Sequence, residues 1–97
     1  MGERTYTGTV IEKFKSAATK REYTLKGLYN ATFTEIFMDV DFYDLHLDVY
    51  VDDIAVVSMS FTEAIDFDRA SVEARASFRL AELSAVAIGR FEKIPFF

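Results

Sequence analysis

One stretch in the middle of the chain alternates strictly between apolar and polar side chains. The odd positions are apolar: Tyr43, Leu45, Leu47, Val49 and Val51. The even positions are polar or amphipathic: Asp44, His46, Asp48 and Tyr50. Successive side chains of a β-strand point to opposite faces of the sheet. Residues 43–51 are therefore predicted to form a strand with one face buried in a core and the other exposed.

The next apolar stretch, residues 54–61, is predicted to pair with this strand. A two-residue turn at Asp52 and Asp53 would place Leu47 beside Ser58 and mix the two faces. A loop longer by one residue keeps the apolar side chains together, and because a one-residue slip turns every side chain over, the hydrophobic pattern predicts this second register. The predicted pairs are Val49 with Val57, Leu47 with Met59 and Leu45 with Phe61. The polar face then carries Asp44, His46 and Asp48 beside Ser58, Ser60 and Thr62.

Residues 4–15 and 21–29 have the β-branched and aromatic composition of strands, with a loop over 16–20. Gly8 lies inside the first of these strands and indicates a bulge or a close backbone approach. Residues 30–42 fit both a helix with a capping box and a strand face, and we favour a strand. Phe42 breaks the parity of the next strand, which predicts a bulge or bend near 42–43.

Residues 68–84 also fit two structures. Alternation favours a strand, whereas the alanine content and an apolar stripe at helical spacing favour a helix with Asp68 as its N-cap. We favour the helix, and expect residues 85–94 to return as a last strand. The predicted fold is one α+β domain over residues 1–97. It has a mainly antiparallel sheet of five or six strands, with one helix packed on one face.

Several classes of protein are not expected. The chain has no cysteine, which excludes disulfides and thiolate metal sites. No apolar run approaches the length that spans a bilayer, and the chain does not begin like a signal peptide. We therefore expect a cytoplasmic protein without a membrane partner. No basic cluster interleaves with aromatic residues, so direct nucleic-acid binding is not expected either.

The charge is unevenly distributed along the chain. Residues 27–68 contain ten acidic and no basic side chains, whereas the flanking segments carry +3 and +2. One interpretation is that the basic ends pack beside the acidic middle and neutralise it through cross-strand pairs. The other is an acidic face that attracts a basic protein partner. We favour the first, because charged runs are usually solvated faces.

The polar face of the central strand is the most specific candidate site. Asp44, His46 and Asp48 share one side, and carboxylates with an imidazole are ligands for a divalent metal ion. Such residues also occur on any exposed strand, and we favour that interpretation. His46 is the single histidine. It is a weak candidate for acid–base catalysis, because no nucleophile motif accompanies it.

The aromatic residues give a second candidate site. The chain has ten phenylalanines and five tyrosines. Several of them could line an apolar ligand pocket between sheet and helix, although a solid core is the more common outcome. The candidates are Phe33, Phe37, Phe42, Tyr43, Phe61, Phe67 and Phe78. The apolar tail with Phe96 and Phe97 is expected to dock on its own domain or on a second copy.

These features rank the functions without identifying one. We expect a small binding or interaction domain that is not an enzyme, that forms a homodimer and that holds no resident cofactor. It could also contain the apolar ligand pocket. The first alternative is a metal-dependent or acid–base enzyme centred on Asp44, His46 and Asp48. The second is an acidic module that binds a basic partner.

Overall fold

A computed structural model describes residues 4–93. Within that range the chain forms an antiparallel sheet of four strands in sequential order, followed by one helix that packs on one face. The elements are β1 (Thr5–Lys15), β2 (Glu22–Phe37), β3 (Val40–Val51), β4 (Ile54–Ala64) and α1 (Arg69–Glu92). The predicted α+β class and the antiparallel sheet are confirmed. The predicted count of five or six strands is wrong.

Two physical causes explain the lower strand count. Residues 30–37 and 40–42 are extended, as favoured, but they form no separate strand. Residues 30–37 continue β2, a tight turn occupies Met38 and Asp39, and residues 40–42 begin β3. The expected last strand over 85–94 is also wrong, because α1 continues to Glu92. Residue 94 and the apolar tail with Phe96 and Phe97 lie outside the described residues.

The helix extends past residue 84 because its buried stripe does not stop there. Leu80, Leu83 and Ala87 follow at spacings of three and four residues, and all three are buried. This stripe packs against the sheet, so tertiary burial outweighs the alternation that suggested a strand. The helix begins as predicted, because the Asp68 carboxylate accepts a hydrogen bond from the Ser71 amide at 2.8 Å.

The predicted register between β3 and β4 is confirmed, but a bulge produces it instead of a longer loop. Val51 pairs with Ile54 across a two-residue turn, whereas Val49 pairs with Val57. The register therefore shifts by one residue at Val56. A bulge of this kind leaves one residue unpaired and restores the apolar side chains to one face. The irregularity predicted near 42–43 lies opposite, on β2, between Phe33 and Glu35.

The core lies between α1 and one face of the sheet. Every odd position of β3 from Tyr43 to Val51 is fully buried, as the alternation predicted. The close approach to the backbone that was predicted at Gly8 is also confirmed. It pairs with Tyr29 on β2, and a Cβ atom at Gly8 would lie 2.5 Å from the Tyr29 hydroxyl oxygen. The glycine therefore makes room for the Tyr29 ring.

The molecule is elongated, with extents of 50 × 22 × 17 Å. The sixteen residues of β2 span about 50 Å at roughly 3.3 Å per residue, so this strand runs the whole length. Its hairpin with β3 lies at one end, and the β1–β2 loop lies at the other. Within residues 4–93, no helix combines the length and the apolarity needed to cross a bilayer.

Candidate functional site

A hydrogen-bonded cluster occupies the open face of the sheet, opposite α1. His46 pairs with Ser60, and Asp48 pairs with Ser58, across the β3–β4 ladder. Directly opposed residues have Cβ atoms about 5 Å apart, which is within reach of these side chains. The β3–β4 register, set by the bulge at Val56, therefore brings one histidine, one carboxylate and two hydroxyls together.

Both nitrogens of the His46 imidazole have hydrogen-bond partners. Nδ1 lies 2.8 Å from Ser60 Oγ, and Nε2 lies 3.0 Å from Asp48 Oδ1 and 3.0 Å from Ser58 Oγ. Ser58 Oγ donates to the same Asp48 oxygen at 2.7 Å. All of these contacts are satisfied when Nε2 carries the proton, because Nε2–H then donates to Asp48 and Nδ1 accepts from Ser60.

Asp48 is the negative charge of this cluster. The hydrogen bond from Ser58 lowers the pKa of the Asp48 carboxyl, and the hydrogen bond with His46 acts in the same direction. Partial burial opposes both effects but does not cancel them. Asp48 is therefore a carboxylate at neutral pH, so it can orient the imidazole and balance a proton gained there.

The structure brings together two of the three proposed metal ligands. Asp44 lies on the same face, two residues along the strand from His46, but it pairs with Thr62 and Thr32. Among residues 4–93, no group of three or more His, Asp or Glu side chains has the spacing to hold a metal ion. The metal site stays a prediction, and the His46–Asp48 contact is the part of it that the geometry supplies.

The seven aromatic candidates separate into different places. Phe67 is the centre of a packed cluster, with ring centroids 5.2 Å from Tyr43 and 5.5 Å from Phe33. Phe61 is partly buried beneath Arg79, and Phe42 is partly buried at the end of the sheet opposite Ala64. Phe37 and Phe78 are exposed, Phe37 at the β2–β3 turn and Phe78 on the outer side of α1. The seven therefore do not line one common cavity.

A buried ion cluster is the feature that the sequence analysis missed. Glu63 of β4 is buried against α1, where Arg75 Nε lies 2.9 Å and Arg79 Nε lies 2.6 Å from its carboxylate oxygens. The sequence did contain a signal for it. Glu63 has the same parity as Val57 and Phe61 and therefore had to face inward, where a buried carboxylate requires a cationic partner.

The free edge of β4 is a third notable feature. The only charged side chain of this strand is Glu63, which points into the core. The other edge strand, β1, carries Glu12, Lys13 and Lys15. Charged side chains on an edge oppose pairing with other molecules, and β4 supplies none of its own that points outward. The one cation that contacts its backbone is Arg90 of α1, which donates to the Val56 carbonyl oxygen at 3.2 Å, among the described residues. On the helix side of this edge, Met59 and Val86 are both exposed by more than 40%.

Comparison with models of protein families, with curated proteins and with solved structures gives no match for this chain.

A cavity of about 290 Å³ lies at the end of the molecule where α1 terminates. Its apolar walls come from both sides, with Phe14 and Ala17 facing Ala85 and Ile88. Glu92 also borders it. This carboxylate accepts hydrogen bonds from Thr19, Ser16 and Tyr23, which lower its pKa. The cavity is thus an apolar recess whose one carboxylate is already satisfied.

Proposed function

We propose that this chain is an interaction domain that forms a symmetric homodimer through the free edge of β4. The observation that carries the proposal is the absence of an outward-pointing charge along Ile54–Ala64, while β1 is charged. An edge strand exposes unpaired N–H and C=O groups, and addition of another strand satisfies them. A second copy of β4 supplies that strand.

The sequence of β4 is complementary to itself. An antiparallel pairing centred on Met59 places Val57 opposite the partner's Phe61 and Ser58 opposite the partner's Ser60. Each apolar side chain then faces an apolar one on the core side, and each hydroxyl faces a hydroxyl on the open side. A register shifted by one residue would place apolar beside polar side chains, so the pattern favours the self-complementary one.

The symmetry also accounts for the exposed side chains beside the edge. Antiparallel pairing of a strand with its own copy requires a two-fold axis perpendicular to the sheet, which places both helices on the same face. Met59 and Val86 then lie between the two helices and are covered by their symmetry equivalents. Removal of exposed apolar surface is the main driving force for such association.

The experiment is a comparison of two lysine variants by analytical ultracentrifugation. Met59→Lys places like charges together at the two-fold axis, which costs on the order of several kcal/mol, so the dimer dissociation constant should rise by a factor of at least about ten. Ile11→Lys makes the same change at an exposed position of β1 and should leave dimerisation unchanged. Equal dimerisation of both variants, or a monomeric wild type at high concentration, would contradict the proposal.

A second candidate function, hydrolysis with Ser60 as nucleophile, is favoured by the order of the groups around His46. A hydroxyl, an imidazole and a carboxylate are hydrogen-bonded in sequence from Ser60 to Asp48. In such an arrangement the imidazole takes the hydroxyl proton as the oxygen attacks an acyl carbon, and the carboxylate stabilises the imidazolium.

The test for this second function is labelling with a fluorophosphonate. The Ser60 oxygen would displace fluoride and form a phosphonate ester, which mass spectrometry locates by peptide mapping. Labelling should disappear in Ser60→Ala and fall strongly in His46→Ala. The control, Ser71→Ala, removes a hydroxyl that donates to the N-cap residue Asp68 and should leave labelling of Ser60 intact. No label on Ser60 in the wild type excludes the nucleophile.

A further inference from the structure

We propose that the β2–β3 hairpin of one molecule inserts its apolar tip into the cavity at the opposite end of a second copy. Residues 34–41 form the part of this hairpin that extends beyond the rest of the sheet, and we name this part the arm. This contact is separate from β4 pairing and joins copies head to tail. It uses a surface of the arm that nothing else within residues 4–93 explains.

The arm protrudes because its neighbours stop pairing with it. β1 pairs with β2 only as far as Thr32, and β4 pairs with β3 only as far as Phe42. The tip is nevertheless apolar. Ile36, Phe37 and Met38 are 62%, 60% and 81% exposed, so the end of the molecule presents three large apolar side chains to solvent, with Ile36 and Phe37 on opposite faces of the hairpin. Contiguous exposed apolar groups of this kind mark interaction sites.

The turn at the tip has an unfavourable residue. Met38 and Asp39 both have positive φ angles, 52° and 65°, as a tight hairpin of this type requires. Asparagine, aspartate or glycine suits such positions, and a bulky side chain is unusual there. The β3–β4 turn meets the same requirement with Asp52 and Asp53, at 47° and 70°. Met38 thus places an apolar side chain in solvent at a position that favours a small polar one, which indicates a role outside the monomer.

The cavity at the other end has the size for such a side chain. An apolar cavity of roughly 150 Å³ is enough to hold a benzene ring, and this one has about 290 Å³. Phe14, Ala85 and Ile88 provide apolar contact for the ring of Phe37 or the side chain of Met38. Gly89 widens the cavity further, because a Cβ atom there would meet nothing within 4 Å.

The charges around the two surfaces are complementary. The arm carries Glu35, Asp39 and Asp41 and no basic residue. The strand end and loop beside the cavity, residues 12–22, carry four basic side chains against two acidic ones. The basic ones are Lys13, Lys15, Lys20 and Arg21. Complementary charge favours the encounter and selects this orientation, and its rim position makes the contact sensitive to salt.

The geometry requires a second molecule. The arm and the cavity lie at opposite ends of an axis 50 Å long, so an arm cannot reach the cavity of its own chain. The contact joins two different surfaces and is therefore heterologous, which leaves a free arm and a free cavity at the ends of every assembly. Chains of molecules, or a ring where the rotation closes, follow from this arrangement.

The experiment uses two variants that should not weaken the fold, both made in the Met59→Lys background to remove β4 pairing. The arm variant is Met38→Asn with Phe37→Thr, because asparagine suits the turn and threonine suits a strand. The cavity variant is Gly89→Leu, which fills the recess and improves helix propensity. Ile11→Thr removes an equally exposed apolar side chain from β1 and is the matched control for the loss of apolar surface.

Sedimentation should show assemblies larger than a monomer for Met59→Lys alone and with the Ile11→Thr control, growing with concentration. The arm variant and the cavity variant should each be monomeric. Mixed one to one, they should form a dimer of about twice the monomer mass and nothing larger, because only one arm and one cavity remain complementary. If either variant assembles to the same extent as Met59→Lys alone, or if the mixture assembles no more than the separate variants, the proposal is overturned, whether or not β4 still pairs.

Discussion

Arg79 binds the buried carboxylate of Glu63 through two nitrogens, with Nε 2.6 Å from Oε2 and Nη2 3.1 Å from Oε1. This contact joins α1 to β4, the strand with the free edge. The guanidinium of Arg79 also lies 4.3 Å from the ring centroid of Phe61, so it is held from two sides. Arg75 completes the cluster with a single hydrogen bond to Glu63.

We expect Arg79→Ala to destabilise the protein by about 3 kcal/mol, because it leaves a buried carboxylate with one remaining partner. Arg75→Ala should cost about half as much, since Arg75 is more exposed and donates through one nitrogen. Urea unfolding measures both. An equal cost for the two variants would show that the paired geometry of Arg79 contributes nothing.

The same cluster should make stability depend on pH. Burial alone would raise the pKa of Glu63, but the hydrogen bonds from Arg79 and Arg75 outweigh it and the pKa is lowered. A carboxyl with a lowered folded-state pKa stabilises the protein fully above its unfolded value of about 4.3, and this contribution is lost as the pH falls through the folded value.

Glu63→Gln removes that contribution. The difference in unfolding free energy between wild type and Glu63→Gln should therefore be constant near neutral pH and shrink below about pH 5. Urea unfolding at a series of pH values from neutral to acidic measures it. A difference that stays constant down to acidic pH would indicate that the pKa of Glu63 is the same in the folded and the unfolded protein.

Tyr43 presents the opposite case, a buried polar group without a partner. Its hydroxyl is fully buried and, among the described residues, has no hydrogen-bond partner. Burial, followed by the nearby charge of Glu63, raises its pKa to about 12. We expect Tyr43→Phe to be neutral or to stabilise the protein by up to about 1 kcal/mol, because an unsatisfied hydroxyl is removed.

The control for this prediction is Tyr23→Phe. Its hydroxyl donates to Glu92 at 2.9 Å, so its removal should cost about 1 kcal/mol. Thermal unfolding of the two variants side by side gives the comparison. A clear loss of stability in Tyr43→Phe would show that the hydroxyl has a partner, such as a buried water molecule.

The sequence predicted correctly those parts of the fold in which several residues of one segment indicate the same structure. The alternation from Tyr43 to Val51 and the apolar pairing of Leu47 with Met59 each rest on several positions, so one bulge at Val56 did not spoil them. The bulge itself could not be predicted, because the register could equally arise from a longer loop, and the same hydrophobic pairs result from both.

The predictions were wrong where the pattern of a segment fits both a strand and a helix. The helix was ended too early because alternation and helical spacing overlap in the alanine-rich segment, and only burial against the sheet separates them. The contacts of the candidate site depended on side-chain geometry across strands. The sequence predicted that His46 lies near Ser60. It did not predict the hydrogen bonds that link Ser60, His46 and Asp48.

Gly8 provides a last prediction, in which the sign of the effect is decisive. Glycine inside a strand normally weakens it, so alanine would be expected to stabilise by about 0.5–1 kcal/mol. Here the added Cβ would lie 2.5 Å from the Tyr29 hydroxyl oxygen and 2.7 Å from the Tyr29 Cζ. Tyr29 is buried and cannot move away freely. We therefore expect Gly8→Ala to destabilise by about 1–3 kcal/mol.

Gly89→Ala, with no neighbour within 4 Å of the new Cβ, should instead stabilise α1 by about 1 kcal/mol. Urea unfolding of both variants measures these opposite signs, and a stabilised Gly8→Ala would mean that the Tyr29 ring does not pack over Gly8.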